Sequence, residues 1–219
     1  PITESLFYFW HSHFACSSDR VHDQRLMRSQ HQLFREHGLN GFHGLLSEVS
    51  ISPAMLIDLD NASNVAGDEQ ENFARELMEL YTIGNGSFSE DEVISVARAW
   101  TGHNLDDDPD PDVYAFYSDR HDKHDKTLFG ITQKWDAEDT IHELVRGARR
   151  DNTAWFLATK LWAEFGDPRW VSGAILTDIA DTLKSNAMRA LPAIRAIFMR
   201  DEFWAPERRF GMVKPPLPW

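Results

Sequence analysis

Apolar residues recur at helical spacing along most of this chain, and one stretch sets the frame for the rest. Between Glu71 and Gly84, at about 100° per residue, Phe73, Leu77, Met78, Leu80 and Tyr81 fill one sector of a helix. Asn72, Arg75, Glu76 and Glu79 gather on the other. The spacing predicts a helix over 69–83, capped by Asp68 with Glu71 and stopped by Gly84 and Gly86. The next segment opens on a capping box, with Ser89 at the N-cap and Glu92 at N3. Phe88 and Val93 take the staple positions there, and the stripe Val93, Val96, Ala97, Trp100 ends at Gly102.

Before this pair, Thr3 to Cys16 reads as a buried helix with Leu6, Phe9, Trp10 and Phe14 inward. His13 projects on the same stripe. His11 falls about 160° away, so on a regular helix the two imidazoles cannot share a ligand. Gln24 to His37 follows with Leu26, Leu33 and Phe34 inward and with Gln30 and His37 on their side. Buried polar groups need partners, and His13, Gln30 and His37 are candidates to supply one another. His37, just before Gly38, also suits the negative end of the helix dipole. Phe42, Leu45, Leu46 and Val49 mark a short helix, and Ser52-Pro53 starts another with proline at its first position.

The pattern breaks over 103–134. Asp106, Asp107, Asp108, Asp110 and Asp112 alternate with Pro109 and Pro111, and Val113 to Tyr117 is expected to pair with Thr127 to Ile131 as a hairpin. An irregular stretch of this length inside a domain is usually functional or disordered. Helical spacing then returns. Asp136 caps a segment carrying Ile141, Leu144 and Val145. Asp151 or Asn152 caps one with Trp155, Ala158, Trp162 and Phe165 inward. Two more run from Val171 to Ser185 and from Met188 to Met199, the latter accepting Pro192 only in its first turn. The expectation is a mainly α fold: a single helical domain (1–204) of about eight helices with one irregular acidic loop and β-hairpin excursion (103–134). An extended Pro/Arg-rich tail (205–219) follows it.

Several of these strings also resemble the domain of unknown function 1800 family. They are Glu71-Asn72-Phe73-Ala74-Arg75-Glu76-Leu77-Met78-Glu79-Leu80, then Ala97-Arg98-Ala99 with Thr101-Gly102, and near the start Phe9-Trp10-His11-Ser12-His13-Phe14-Ala15. Gln30 to His37, Pro53-Ala54-Met55-Leu56, His121-Asp122, Lys126-Thr127, Lys160-Leu161-Trp162 and Glu202-Phe203-Trp204 also fit. The resemblance spans nearly the whole chain. It implies a bacterial, mostly helical protein with no established activity. It also implies an extracytoplasmic (periplasmic or secreted) location and a neighbouring partner of the domain of unknown function 1501 family. The family usually has Trp where this chain has His103, and a smaller residue is common at Trp100. Members are longer at both ends, so these residues are expected to form part of a larger polypeptide.

Composition narrows the chemistry. Apolar residues make up 42% of the chain, with eight Trp and fourteen Phe, which is ample material for a core. A formal charge of −13 disfavours nucleic acid and anionic membranes and suits a cationic partner or a metal ion. Cys16 is the only cysteine, so an internal disulfide is excluded. No apolar run approaches the roughly 18 residues of a membrane span, and no export signal is visible from Pro1 onward.

Glu76 and Glu79 with Asn72 form a compact acidic face. Left in water, it is a helix surface laced by Glu71–Arg75 and Arg75–Glu79 pairs, each worth about 0.2–0.5 kcal/mol. Covered by the 103–134 insert, its carboxylates would need a cation, donors or a proton. The insert offers His121, Asp122 and His124 as ligands and Lys126 as a neutralising charge. The catalytic candidates are therefore Glu76, Glu79, His121, Asp122 and Lys126. The metal candidates are Glu76, Glu79, His121, Asp122 and His13, for a divalent Zn, Mn, Fe or Ca ion. The spacing matches no specific metal motif, and there is neither a Gly-x-Ser-x-Gly elbow nor a glycine loop opening a helix. Two functions from different classes follow. One is a metal-dependent enzyme such as a hydrolase. The other is a non-catalytic exported binding or assembly module, in which Asn72, Arg75, Gln30 and His37 belong to a structural polar network.

Overall fold

The apolar stripes read from the sequence become the core-facing sides of the helices. A computed structural model describes residues 2–106, 108, 110–169 and 172–206. Asp107 and Pro109 of the acidic run, Val171 of an expected helix and 207–219 of the tail lie outside the described residues. In chain order come α1 (Ile2–His13), α2 (Ser18–Val21), α3 (Gln24–His37), α4 (Phe42–Ser50), α5 (Pro53–Asp58) and α6 (Asn72–Glu76). Then follow α7 (Glu90–Ala99), β1 (His103–Asp106), β2 (Val113–Phe116), β3 (Lys126–Leu128) and β4 (Ile131–Gln133). The chain continues through α8 (Ala137–Val145), α9 (Arg150–Phe165), α10 (Gly173–Ser185), α11 (Ala190–Phe198) and α12 (Asp201–Trp204). Among the described residues, eight of these helices have nine residues or more. The protein is thus a single, mainly α domain with a small antiparallel β excursion.

The core starts at α1, whose Leu6, Phe9 and Trp10 are buried together with Phe14 just beyond it. Phe14 stacks on Phe34 of α3 and on Phe42 of α4, with both ring centroids 6.1 Å away, and Trp10 stacks on Phe42 at 5.7 Å. Each such side chain contributes roughly 1.5–3 kcal/mol through burial. Trp10 Nε1 donates to the Gly38 carbonyl at 2.9 Å. A Cβ on Gly38 would stand 2.7 Å from Trp10 Cδ1, so only glycine lets α3 end this close to the indole.

The central helix departs from its expected form. Glu71 is its N-cap without a side-chain bond, so the Asp68/Glu71 cap does not form. After Glu76 the α-helix widens into a π-helix over Leu77–Thr82. An extra residue per turn changes the phase of the helix. Thr82 turns inward, its Oγ1 donating to the Leu77 carbonyl at 2.6 Å, while Leu80 turns outward and is 47% exposed. The one-period stripe that counted Leu80 among its inward residues is corrected accordingly. Trp155 was also expected inside. It is 43% exposed, because α9 starts at Arg150 and buries Thr153, Ala154, Leu157, Ala158, Leu161 and Trp162 instead.

The expected hairpin is two hairpins. β2 pairs antiparallel with β1 (His103 opposite Phe116, Asp106 opposite Val113), and β3 pairs with β4 (Lys126 opposite Gln133). Phe129 and Gly130, both at positive φ, give β3 and β4 a tight two-residue turn. Each strand found a neighbour close in sequence, which costs less loop-closure entropy than the longer pairing.

Where capping residues were read correctly, they close the helices as expected. Ser89 and Glu92 form the reciprocal box on α7, and Asp136 and Asp139 form one on α8. Replacing Ser89 with Ala is expected to lower unfolding stability by about 1 kcal/mol. Urea unfolding checks this, and an unchanged midpoint would show that the box contributes nothing.

Candidate functional site

Two polar clusters contain the candidate residues. The first holds the insert onto the body. Asn61, Asn64 and Asn104 are all buried. Asn64 Nδ2 donates to Asn61 Oδ1 at 3.0 Å and to the Ala97 carbonyl at 2.9 Å, and Asn61 Nδ2 donates to the His103 carbonyl at 3.0 Å. Asn104 Nδ2 lies 3.0–3.2 Å from the carbonyls of Asn61, Ala62 and Asn64. Three amides thereby stitch the 59–64 segment, the end of α7 and β1 together. A Cβ on Gly102, at φ +80°, would sit 2.6 Å from the Tyr117 carbonyl, so the insert also needs glycine here.

Asp122 is the hub of this cluster. Arg98 Nε donates to its Oδ2 at 2.6 Å, the His124 backbone N–H reaches its Oδ1 at 2.8 Å, and His124 Nδ1 lies 2.9 Å from the same oxygen. Burial pushes the Asp122 carboxyl up, but the Arg98 and His124 hydrogen bonds outweigh it and hold the group well below the usual carboxylate range. Its own N–H donates to Thr101 Oγ1 at 2.8 Å, and His121 Nδ1 donates to the Thr101 carbonyl at 2.9 Å. Lys126 is 1% exposed, and its ammonium donates to the carbonyls of Asp122 (2.6 Å) and His124 (3.1 Å). Burial lowers its pKa. His103 stands 2.9 Å from the Tyr114 hydroxyl, and burial brings its pKa down to about 4.

The second cluster is the acidic face of the central helix. Arg75 pairs with Glu71 at 3.3 Å as expected, but its other partner is Glu90 of α7 at 2.7 Å, not Glu79. Asn72 reaches Asp60 at 3.5 Å, and Glu79 accepts from Asn85 at 3.3 Å. Glu76 Oε2 is shielded from water and has no hydrogen-bond partner. Burial and then the neighbouring Glu79 raise the Glu76 pKa, with Arg75 opposing them. Among the described residues no hydrogen bond, ion pair or ring contact joins Glu76 or Glu79 to His121, Asp122, His124 or Lys126. Nor do the described residues bring three or more His, Cys, Asp and Glu side chains together in a group suited to a metal ion.

His13 lies apart from both clusters. Its Nε2 is 3.1 Å from the Tyr81 carbonyl, which can only accept, so Nε2 carries the proton. Its Nδ1 is then the acceptor for Lys160 Nζ at 3.3 Å, and Lys160 also donates to the Leu80 carbonyl at 3.0 Å. The two side chains thus cap the last carbonyls of the central helix. Gln30 does not meet His13. It donates to Cys16 Sγ at 2.9 Å, and burial pushes that thiol up to about 12, opposed by the Gln30 bond. His37 ends α3 beside Arg35, at the negative end of the dipole as expected.

Sequence reasoning missed Arg98, Thr101, Asn61, Asn64 and Asn104 as the insert's anchors, and missed Lys160 as a helix cap. Arg98, Thr101 and Lys160 lie in the strings that carry the family resemblance, and for the rest the signal was the spread of asparagines in segments that otherwise look like loop.

The profile of the family described as "Protein of unknown function (DUF1800)" matches residues 1–219, and the chain belongs to that family. No curated protein and no solved structure matches it.

His13 makes stability depend on pH in a defined direction. Burial, then the charge of Lys160, brings its pKa from 6.5 to about 3. Above pH 6.5 both folded and unfolded His13 are neutral, and its contribution is complete. Below that, the unfolded chain takes up a proton that the folded chain refuses, so stability falls toward pH 3 by about 1.4 kcal/mol per pH unit. His103 acts in the same sense. Urea unfolding between pH 6.5 and 5 is expected to show a slope shallower by about one proton in His13→Gln. Equal slopes would contradict the buried neutral state.

Proposed function

We propose that this DUF1800 protein is a non-catalytic binding or assembly module. Its polar networks fix the fold, and its acidic insert meets a cationic partner outside the cytoplasm. One observation carries this reading. The β1–β2 hairpin leaves Val113, paired with Asp106, and Phe116, paired with His103, 44% and 47% exposed, while the insert's polar side chains, Asp122 and Lys126 above all, are spent on anchoring it. An exposed valine paired with an aspartate and an exposed phenylalanine at the other end of the strand suit a partner that brings both an apolar contact and positive charge. No helix among the described residues is long and apolar enough to cross a membrane. The family resemblance names the partner to try first: the neighbouring protein of the domain of unknown function 1501 family.

Calorimetric titration of the two purified proteins tests the proposal. Saturable binding is expected, weakened by salt and weakened about tenfold or more by Phe116→Ser with Val113→Ser. No binding, or binding indifferent to both substitutions, would overturn it.

A second reading, a metal-dependent hydrolase, draws on Glu76, whose Oε2 is buried without a partner beside Glu79. Such a carboxylate is the kind of group a cation would satisfy. Metal analysis of the purified protein separates the two. Stoichiometric zinc, manganese, iron or calcium, lost in a folded Glu76→Ala variant, supports the hydrolase. Metal-free protein, or metal retained in that variant, removes this support.

A further inference from the structure

A cavity between α4, α8, α9 and the α10–α11 connection has no role in the reading above. It has a volume of about 230 Å³ and is lined by His43 of α4, Val145 and Arg146 at the end of α8, Arg150 at the start of α9, and Ala187 and Met188 between α10 and α11. Its chemistry is cationic in a chain of net charge −13. Among the described residues Arg146 has no carboxylate partner, and the Arg150 guanidinium donates to a backbone oxygen, that of Lys184. The carboxylates that could have neutralised them are committed elsewhere. Glu143 Oε2 accepts from the Ala148 N–H at 2.7 Å, while Asp151 and Asp181 both pair with Lys184.

His43 supplies the decisive detail. Its Nε2 is shielded from water and has no hydrogen-bond partner in the protein. Burial lowers its pKa, and so do Arg146 and His142, whose ring lies 6.3 Å from that of His43. An imidazole nitrogen left without a partner, which donates in the Nε2–H tautomer, beside two guanidiniums makes a donor set lacking its anion. The first turn of the sixteen-residue α9 adds the positive end of a helix dipole at Arg150.

The opposite wall is built to stay in place. Ala187 and Met188 both take positive φ (53° and 57°), which side chains disfavour. Hydrogen bonds hold them there, from Met188 N to the Leu183 carbonyl at 2.8 Å and from Phe42 N to the Met188 carbonyl at 3.2 Å. With Val145 they form a low-dielectric wall that strengthens whatever charge interaction the other side makes.

We propose that this cavity binds a phosphate group, held by Arg146 and Arg150 and accepting a hydrogen bond from His43. Two guanidiniums and an imidazole suit a tetrahedral dianion better than a single carboxylate. The small volume admits the phosphate with little of whatever carries it. The group could arrive as the free ion or on a small phosphomonoester, and the same donors would serve both.

The test titrates the full chain at pH 7 with inorganic phosphate and, separately, with glycerol 3-phosphate at millimolar concentrations. Heat and the His43 ring signals in nuclear magnetic resonance are both followed. Saturable binding that shifts the His43 resonances is expected, weakened about tenfold in Arg146→Gln, a change that breaks no ion pair or hydrogen bond described in the folded protein. Tighter binding of inorganic phosphate identifies the free ion as the ligand, and tighter binding of glycerol 3-phosphate identifies a phosphomonoester. Either supports the site. Absence of binding by both probes, binding that leaves the His43 resonances unmoved, or binding unchanged in Arg146→Gln would overturn it.

Discussion

The carbonyls at the end of the central helix have to be satisfied, that of Tyr81 away from water, and much of the architecture follows from how this is done. A buried carbonyl left unpaired costs about 1–3 kcal/mol. The oxygens of Leu80 and Tyr81 are met from two sides, by Lys160 of α9 and by His13 of α1. Because His13 and Lys160 also bond to each other, three helices distant in sequence are locked at one point. Aromatic packing holds the imidazole there: the ring of Phe9 stacks on it at 5.9 Å and that of Phe14 meets it edge-on at 4.5 Å. Lys160 is steadied by the Phe156 ring 4.9 Å from its ammonium. The arrangement explains why a histidine sits on the buried face of an aromatic-rich helix, with no metal needed to account for it.

A similar economy governs the insert. Long irregular segments are held in a compact domain only if their backbone groups find partners. Here Asn104 alone reaches three carbonyls, and Asp122 gathers donors from a helix side chain and its own loop. The conversion of polar chemistry into anchorage leaves the apolar ends of β2 facing outward. The proposed recognition of another macromolecule rests on this division of labour, with the anchoring polar groups inside and the ends of β2 outside.

Much of the fold was legible because it rests on local rules. Leu6, Phe9, Trp10 and Phe14 announced a buried helix, and Ser89 with Glu92 announced where another begins. What was not legible depended on departures from a constant period or on long-range geometry. A stripe drawn at one fixed angle cannot anticipate a widened turn, so Leu80 was placed inside and Thr82 overlooked. The strand residues of the insert were recognised, but pairing is a competition among partners that alternation alone does not decide. For the site, His121, Asp122 and Lys126 were rightly singled out as unusual. Asp122 bonds to Arg98 and Thr101 and His121 to Thr101, however, while Lys126 bonds within the insert, and no spacing rule connects a loop to the end of a helix some twenty residues earlier. Glu76 and Glu79 were grouped with them on the expectation that the 103–134 insert covers their helix face, and among the described residues no bond joins them to it.

The protonation state of His13 tests this account most directly. Imidazole nitrogen chemical shifts, followed from pH 7.5 to 4.5 with and without added zinc, report both tautomer and ligation. The account predicts a neutral ring with its proton on Nε2 throughout, indifferent to zinc. A ring that gains a proton near pH 6.5, carries its proton on Nδ1, or binds zinc would contradict it.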